Sequence, residues 1–325
     1  MADMNESGLF MPSNSKKYFL LNIKEGEPGK KTNEVYKWII DNKFAPIFFK
    51  GHTIEQFRDR KKVLIESHHI KKSHSHTDAE TFVETFLDVP NTDDKIVFSI
   101  GKTEIYFFKK ADNFKLVPYE ADKEDQAKGF KIELLKKCDI IECPLVLANI
   151  KANLGLALGT FKELKEPEHS GNIRAIEYCL SGEKATITKF PEYLKCLSSV
   201  ELETLIAKIL EEKELFIFAY RGGFIKNFDL ICQNFGKNPI ELRGNEILPG
   251  EKKSIQVKLT LKNTDYKPYE ENHVDFYFCI NSDLKREEKN VFEAKDIEKL
   301  LDKTSYDWLK KSLYWAEFLN SHNML

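Results

Sequence analysis

Apolar and polar positions change rhythm part-way along this chain. The first half is built from short apolar runs: YFLLNI (18–23), APIFF (45–49), KIVFSI (95–100), EIYFF (104–108), PLVLANI (144–150) and LALGTFKEL (156–164). Runs of this length, bounded by Gly, Pro and Asn, read as strands. Gly101-Lys102-Thr103 predicts a hairpin between KIVFSI and EIYFF. EVYKWII (34–40) predicts a helix with Asn33 as its cap, and NIRAIEYCL (172–180) closes the half. The expectation is a strand-rich, partly closed barrel-like domain over residues 1–185.

The period then lengthens. PEYLKCLSSVELETLIAKILEEK (191–213) predicts a long helical stretch, with Ser198 and Ser199 as candidate caps. Four strands are predicted next, at LFIFAY (215–220), FDLICQN (228–234), SIQVKLTL (254–261) and VDFYFCI (274–280). Two amphipathic helices, near 293–302 and 305–320, end the chain. Helix, strands, helices is an α/β or α+β arrangement, and the whole chain is expected to be α+β. The domain boundary is expected at 182–192, with the second domain over 186–325.

Composition adds limits. Of 325 residues, 42% are hydrophobic, enough for packed cores rather than global disorder. Fifty Lys and Arg face 52 Asp and Glu, so any basic surface must be local. The six cysteines form no CxxC and read as buried thiols of a reducing cytoplasm. No apolar run approaches membrane-spanning length. No GxxxxGK[ST] loop is present, so ATP is not an expected ligand.

The candidate chemistry lies in the second half. Val200, Glu203, Ala207 and Leu210 share one helical stripe, which predicts an inward Glu203 and a water-facing Glu201. An inward carboxylate is costly unless a cation compensates it. YRGGFIKNFDLI (220–231) carries two glycines and then Asp229 at the start of an apolar strand. In SIQVKL, Ile255, Val257 and Leu259 alternate with Gln256 and Lys258, so the amide and the ammonium share a face.

The order Glu, Asp, Gln-x-Lys resembles the PD-(D/E)xK nucleases, and most closely their Mrr-like restriction branch, in which Gln replaces the second acid. VELETLIAKIL is similar to that family's first helix, RGGFIKNFDL to its glycine turn and metal-binding Asp, and SIQVKL to its QxK strand. The resemblance covers about residues 195–285. It departs from the family at the turn, where Phe224, Ile225 and Lys226 intrude. It implies a restriction-endonuclease-like α/β domain with an Mg²⁺ site, Mn²⁺ also serving. Asp229 would be the principal ligand, Glu203 a second, and the Gln256 amide and Val257 carbonyl the remainder. Lys258 would orient the attacking water. The implied activity is DNA cleavage of the phage-defence kind, with a homodimer closed by the C-terminal helices. The alternative is a nucleic-acid-binding subunit on a degenerate nuclease fold.

The first half loosely resembles PUA-like modules such as EVE domains, through IVFSIGKTEIYFF and ALGTFKEL. That resemblance implies a reader of DNA, including modified DNA, with Trp38, Phe48, Phe49, Tyr106 and Phe107 as available stacking walls. Segment 52–78 holds five of the eight histidines without a zinc-ligand spacing. Its Arg58, Arg60, Lys61 and Lys62, together with Arg221 and Lys226, are candidate phosphate contacts.

Overall fold

The short apolar runs of the first half of the chain become strands of one sheet. The computed structural model describes residues 16–22, 39–48, 95–111, 117–118, 127–150, 161–220, 228–267, 269–285 and 288–318. Contacts divide the chain into two units, Met1–Ile140 with Leu154–Leu164, and Ile141–Asn153 with Lys165–Leu325. Helices and strands are mixed in an α+β arrangement. Among the described residues, no helix is long and apolar enough to cross a membrane.

In the first unit, β1 (Lys17–Leu21), β2 (Phe44–Phe48), β3 (Lys95–Ile100), β4 (Glu104–Lys110), β5 (Val117–Pro118), β6 (Ala127–Asp139) and β7 (Phe161–Leu164) form one sheet. Its order is β2-β6-β4-β3-β1-β7, with β5 beside β6. β3 is buried at all six positions, as a central strand with two covered faces must be. The predicted β3–β4 hairpin forms, and the Gly101 N–H donates to the Glu104 carbonyl at 2.8 Å. Its long partner β6 was not predicted, because lysines and glutamates break its apolar period.

The second unit begins earlier than expected, ahead of the 182–192 boundary. PLVLANI is not a strand: after Pro144 it forms the short helix α1 (Leu145–Ala148). NIRAIEYCL lies within α2 (Ser170–Ser181), which ends at Gly182 in the left-handed region. The Asn172 amide donates to the Val146 carbonyl at 2.9 Å, which ties α2 to α1. Gly171 is where α2 meets the end of the next helix; a Cβ there would lie 2.1 Å from the Lys195 carbonyl oxygen.

The long helical stretch is two helices, α3 (Phe190–Lys195) and α4 (Ser199–Glu212), broken at Ser198. The C-terminal pair is α6 (Ala294–Leu300) and α7 (Lys303–Ser312), preceded by the one-turn α5 (Tyr269–Asn272). The last predicted helix stops short of 320, because β16 (Ala316–Phe318) pairs in parallel with β8 (Ala185–Ile187).

The central sheet of this unit contains β9 (Leu215–Tyr220), β10 (Leu230–Asn234), β13 (Lys252–Leu261), β14 (Phe276–Ser282) and β15 (Val291–Phe292), in the order β15-β14-β13-β10-β9. β10 runs antiparallel to both β9 and β13, and β14 is parallel to β13. Between β10 and β13, β11 (Ile240–Leu242) and β12 (Asn245–Ile247) make a hairpin. Its two turn residues, Arg243 and Gly244, both have positive φ, which suits the twist of the strands.

α4 packs across β9, β10 and β13, and α3 and α6 pack on β14. Leu202, Leu205, Ile206, Ile209 and Leu210 of α4 are fully or almost fully buried. Each such side chain stabilises the layer by ~1.5–3 kcal/mol. The opposite face is buried at β14, where Tyr277 and Cys279 join a second apolar cluster with Val274 and Val291, and is exposed or half-buried over β9, β10 and β13.

Candidate functional site

Strand β10 is too short to pair the whole of β13, and the residue before it completes the edge. The ladder ends at Leu230 opposite Ile255. Beyond that point the Asp229 N–H donates to the Ile255 carbonyl at 2.8 Å. Asp229 Oδ2 accepts the Val257 N–H at 2.7 Å. Asp229 is therefore clamped to both neighbours of Gln256. The bond serves folding as well, since it satisfies a backbone donor that no residue of β10 reaches.

Within a strand, the N–H and C=O of one residue point to the same edge. The Val257 carbonyl therefore faces the same side as the N–H that holds Asp229. Gln256 and Lys258 alternate away from buried Val257 onto the other face, both half-buried. They lie beside Tyr277 and Cys279 of β14 in register. The fold thus bonds Asp229 to the backbone on either side of Gln256, with Lys258 two residues further along the same strand face. The predicted apolar face of β13 runs less far than expected. Leu259 is 44% exposed, and Leu261 is the residue buried beyond Val257.

Glu203 enters from the helix layer. It is half-buried on α4, with Oε2 excluded from solvent, and α4 covers the face opposite Gln256 and Lys258. The companion expectation for Glu201 is corrected: it is buried rather than facing water. Glu201 Oε2 accepts the Ser198 N–H and hydroxyl, each at 2.8 Å, and the Glu201 N–H donates back to Ser198 Oγ at 3.3 Å. This is a capping box, and its Ser-x-x-Glu signature stands in the sequence at 198–201. Burial pushes the Glu201 carboxyl above its ordinary range, and the Ser198 bonds pull it back only in part.

A polar network the sequence reading missed borders the site. Lys253 Nζ lies 2.7 Å from Glu251 and 3.4 Å from Asp275. Asp275 Oδ2 accepts both the N–H and the hydroxyl of Ser254, each at 2.8 Å. Burial draws the Lys253 ammonium down, but Glu251 and Asp275 outweigh it and hold it above its ordinary value. Only the tertiary pairing of β13 with the residue before β14 unites these groups. No local spacing signals it.

Other expectations fare differently. Tyr106 and Phe107 are buried core residues of β4, so they cannot be stacking walls. Arg58, Arg60, Lys61, Lys62, Arg221, Lys226, Trp38, Phe49, the histidine segment and the glycines of the 220–231 turn lie outside the described residues, as does the Phe48 side chain. The six cysteines form no disulfide. Burial pushes the thiols of Cys196, Cys232 and Cys279 up to about 11, 12 and 12, which leaves them poor nucleophiles at neutral pH.

No protein-family model, curated protein or solved structure matches this chain.

Proposed function

We propose that this protein is a metal-dependent endonuclease that hydrolyses DNA phosphodiester bonds at the edge of β13. The observation that carries the reading is the 2.7 Å bond from the Val257 N–H to Asp229 Oδ2. It sets a carboxylate against the Gln-x-Lys strand, as the resemblance to Mrr-like nucleases requires. The available donors suit a hard divalent cation: carboxylate, backbone carbonyl and side-chain amide, all oxygen. Asp229, the Val257 carbonyl and the Gln256 amide oxygen would hold Mg²⁺ or Mn²⁺. Such an ion, when bound, polarises the phosphate and lowers the pKa of its water.

The chain's own groups divide the remaining work. Asp229 is held rigid by two bonds to β13, so it meets the cation without reorganising. Lys258, two residues along on the open face, orients the attacking water and neutralises charge that develops on the phosphate. Glu203, behind the sheet, adds negative charge from an outer position. The N-terminal unit would select the target, and the last helices would support a dimer in the cytoplasm.

The test is cleavage of labelled DNA, modified and unmodified, with Mg²⁺ or Mn²⁺. Wild type should cut. Asp229→Ala and Lys258→Ala should each lose about 100-fold or more. The neutral Gln256 favours the second reading, a binding subunit without cleavage, since among the described residues Asp229 is the one carboxylate hydrogen-bonded to the backbone neighbours of Gln256. Tight DNA binding with no cutting under either metal would establish it.

A further inference from the structure

The sheet face that carries Gln256 and Lys258 also carries three exposed phenylalanines. Gln233 and Lys252 are register partners, and Gln233 is also paired with Phe216. By strand alternation these groups share the face of Gln256 and Lys258. Phe216 is 54% exposed, Phe218 46% and Phe235 64%. Their ring centroids lie 5.0 to 5.9 Å apart in edge-on and tilted arrangements. The Lys252 ammonium sits 4.8 Å from the Phe218 ring centroid. Large exposed apolar clusters are costly in water and mark binding surfaces.

The cluster is held in place by the fold. β9 carries one residue more than β10 at the Ile231/Cys232 junction, and Phe218 is the one left out of the pairing. Phe235 stands on a turn built around fully buried Asn234. The Asn234 amide donates to the carbonyls of Asn238 and Ile247, each at 2.8 Å, and its Oδ1 accepts the Gly236 N–H at 2.8 Å. A buried amide thus fixes a turn whose exposed product is an aromatic ring, with Lys237 exposed two residues on.

We propose that Phe216, Phe218 and Phe235 form a stacking platform for the bases of an unpaired DNA strand, with Lys252 as its phosphate contact, leading the strand along this face toward Lys258. This deepens the nuclease reading and rests on it for the destination of the strand. Aromatic faces take any base, and unpaired bases are the ones that expose a face to them. A cation beside the rings matches the alternation of base and phosphate along a single strand. A purely apolar partner would gain nothing from Lys252.

The test uses the full chain, with a chelator present so that nothing is cut. Anisotropy is read with a dye-labelled single strand and with the matching duplex. Wild type should bind the single strand more tightly. Phe216→Ala/Phe218→Ala/Phe235→Ala should weaken single-strand binding about tenfold or more while sparing the duplex. Lys252→Ala should flatten the salt dependence. A wild type that binds the single strand but never cuts upholds the platform and overturns the hydrolytic reading. Unchanged single-strand affinity in the triple variant overturns the platform. So does a triple variant that merely turns from dimer to monomer, which would make the patch an interface between copies of this chain.

Discussion

The two faces of the second unit's sheet share strands but obey different rules. On the covered face, Leu230, Cys232, Ile255, Val257, Phe276 and Phe278 are buried by helices. On the open face, β9, β10 and β13 present Phe216, Gln233, Lys252, Gln256 and Lys258. One face is selected for packing, where any apolar residue of the right volume serves. The other packs at β14, where Tyr277 and Cys279 are buried, but over β9, β10 and β13 it holds exposed and half-buried groups whose identity must be explained by what they meet. Asp229 joins the two, since it caps a core strand and offers its carboxylate at the open edge.

The largest expected effect tests that division directly. Ile255→Ala, on the covered face, should lower unfolding free energy by ~2–5 kcal/mol in a denaturant titration. Lys258→Ala, three residues on, should change it by less than about 0.5 kcal/mol while abolishing cleavage. Equal losses of stability would erase the distinction between the faces. Next in size is Gly171→Ala, which forces a Cβ against the Lys195 carbonyl. It should cost about 1–3 kcal/mol, read by thermal melting, with the open face unaffected.

Gln256→Glu should sharpen the open face instead. A second carboxylate beside Asp229 should let cleavage proceed at lower Mg²⁺, read as the metal concentration at half-maximal rate.

The smallest effect is in pH dependence, and its sign differs between two glutamates of the helix layer. Burial raises the Glu192 carboxyl, but Lys195 and Arg174 outweigh it and hold it below its ordinary 4.5. Its contribution to stability is therefore present above 4.5 and lost as pH falls through its folded value. Glu201 is raised above 4.5, so the folded state favours its protonated form. Its contribution is fullest below 4.5 and declines as pH rises through the folded value. Stability differences between wild type and Glu192→Gln should grow with pH, and those for Glu201→Gln should shrink. The same trend in both would contradict the assignments.

Much of the second unit was legible because its strands are short apolar runs between turn signals. Only SIQVKL alternates, which announces one apolar and one polar face; LFIFAY is apolar throughout and shows only that a strand is there. The adjacency of Asp229 to Val257 was legible only as an order along the chain, since register decides it. Two errors have local causes. PLVLANI is apolar and short, which suits a strand or a buried helix equally, and Pro144 settles it by starting a helical turn. Glu201 was assigned by stripe, whereas the Ser198-x-x-Glu201 cap overrides the stripe at a helix start. The phenylalanine cluster was not legible at all. Phe216 and Phe218 read as ordinary strand residues until the edge position of β9 and the turn at Asn234 leave them uncovered.

The central claim is that Asp229 and β13 together hold a divalent ion. Calorimetric titration of Mn²⁺ into the full chain, wild type against Asp229→Asn, tests it most directly. The account predicts one saturable site in the wild type that is lost in the variant, with the melting temperature of the metal-free protein little changed. Equal Mn²⁺ binding by the two proteins would contradict it.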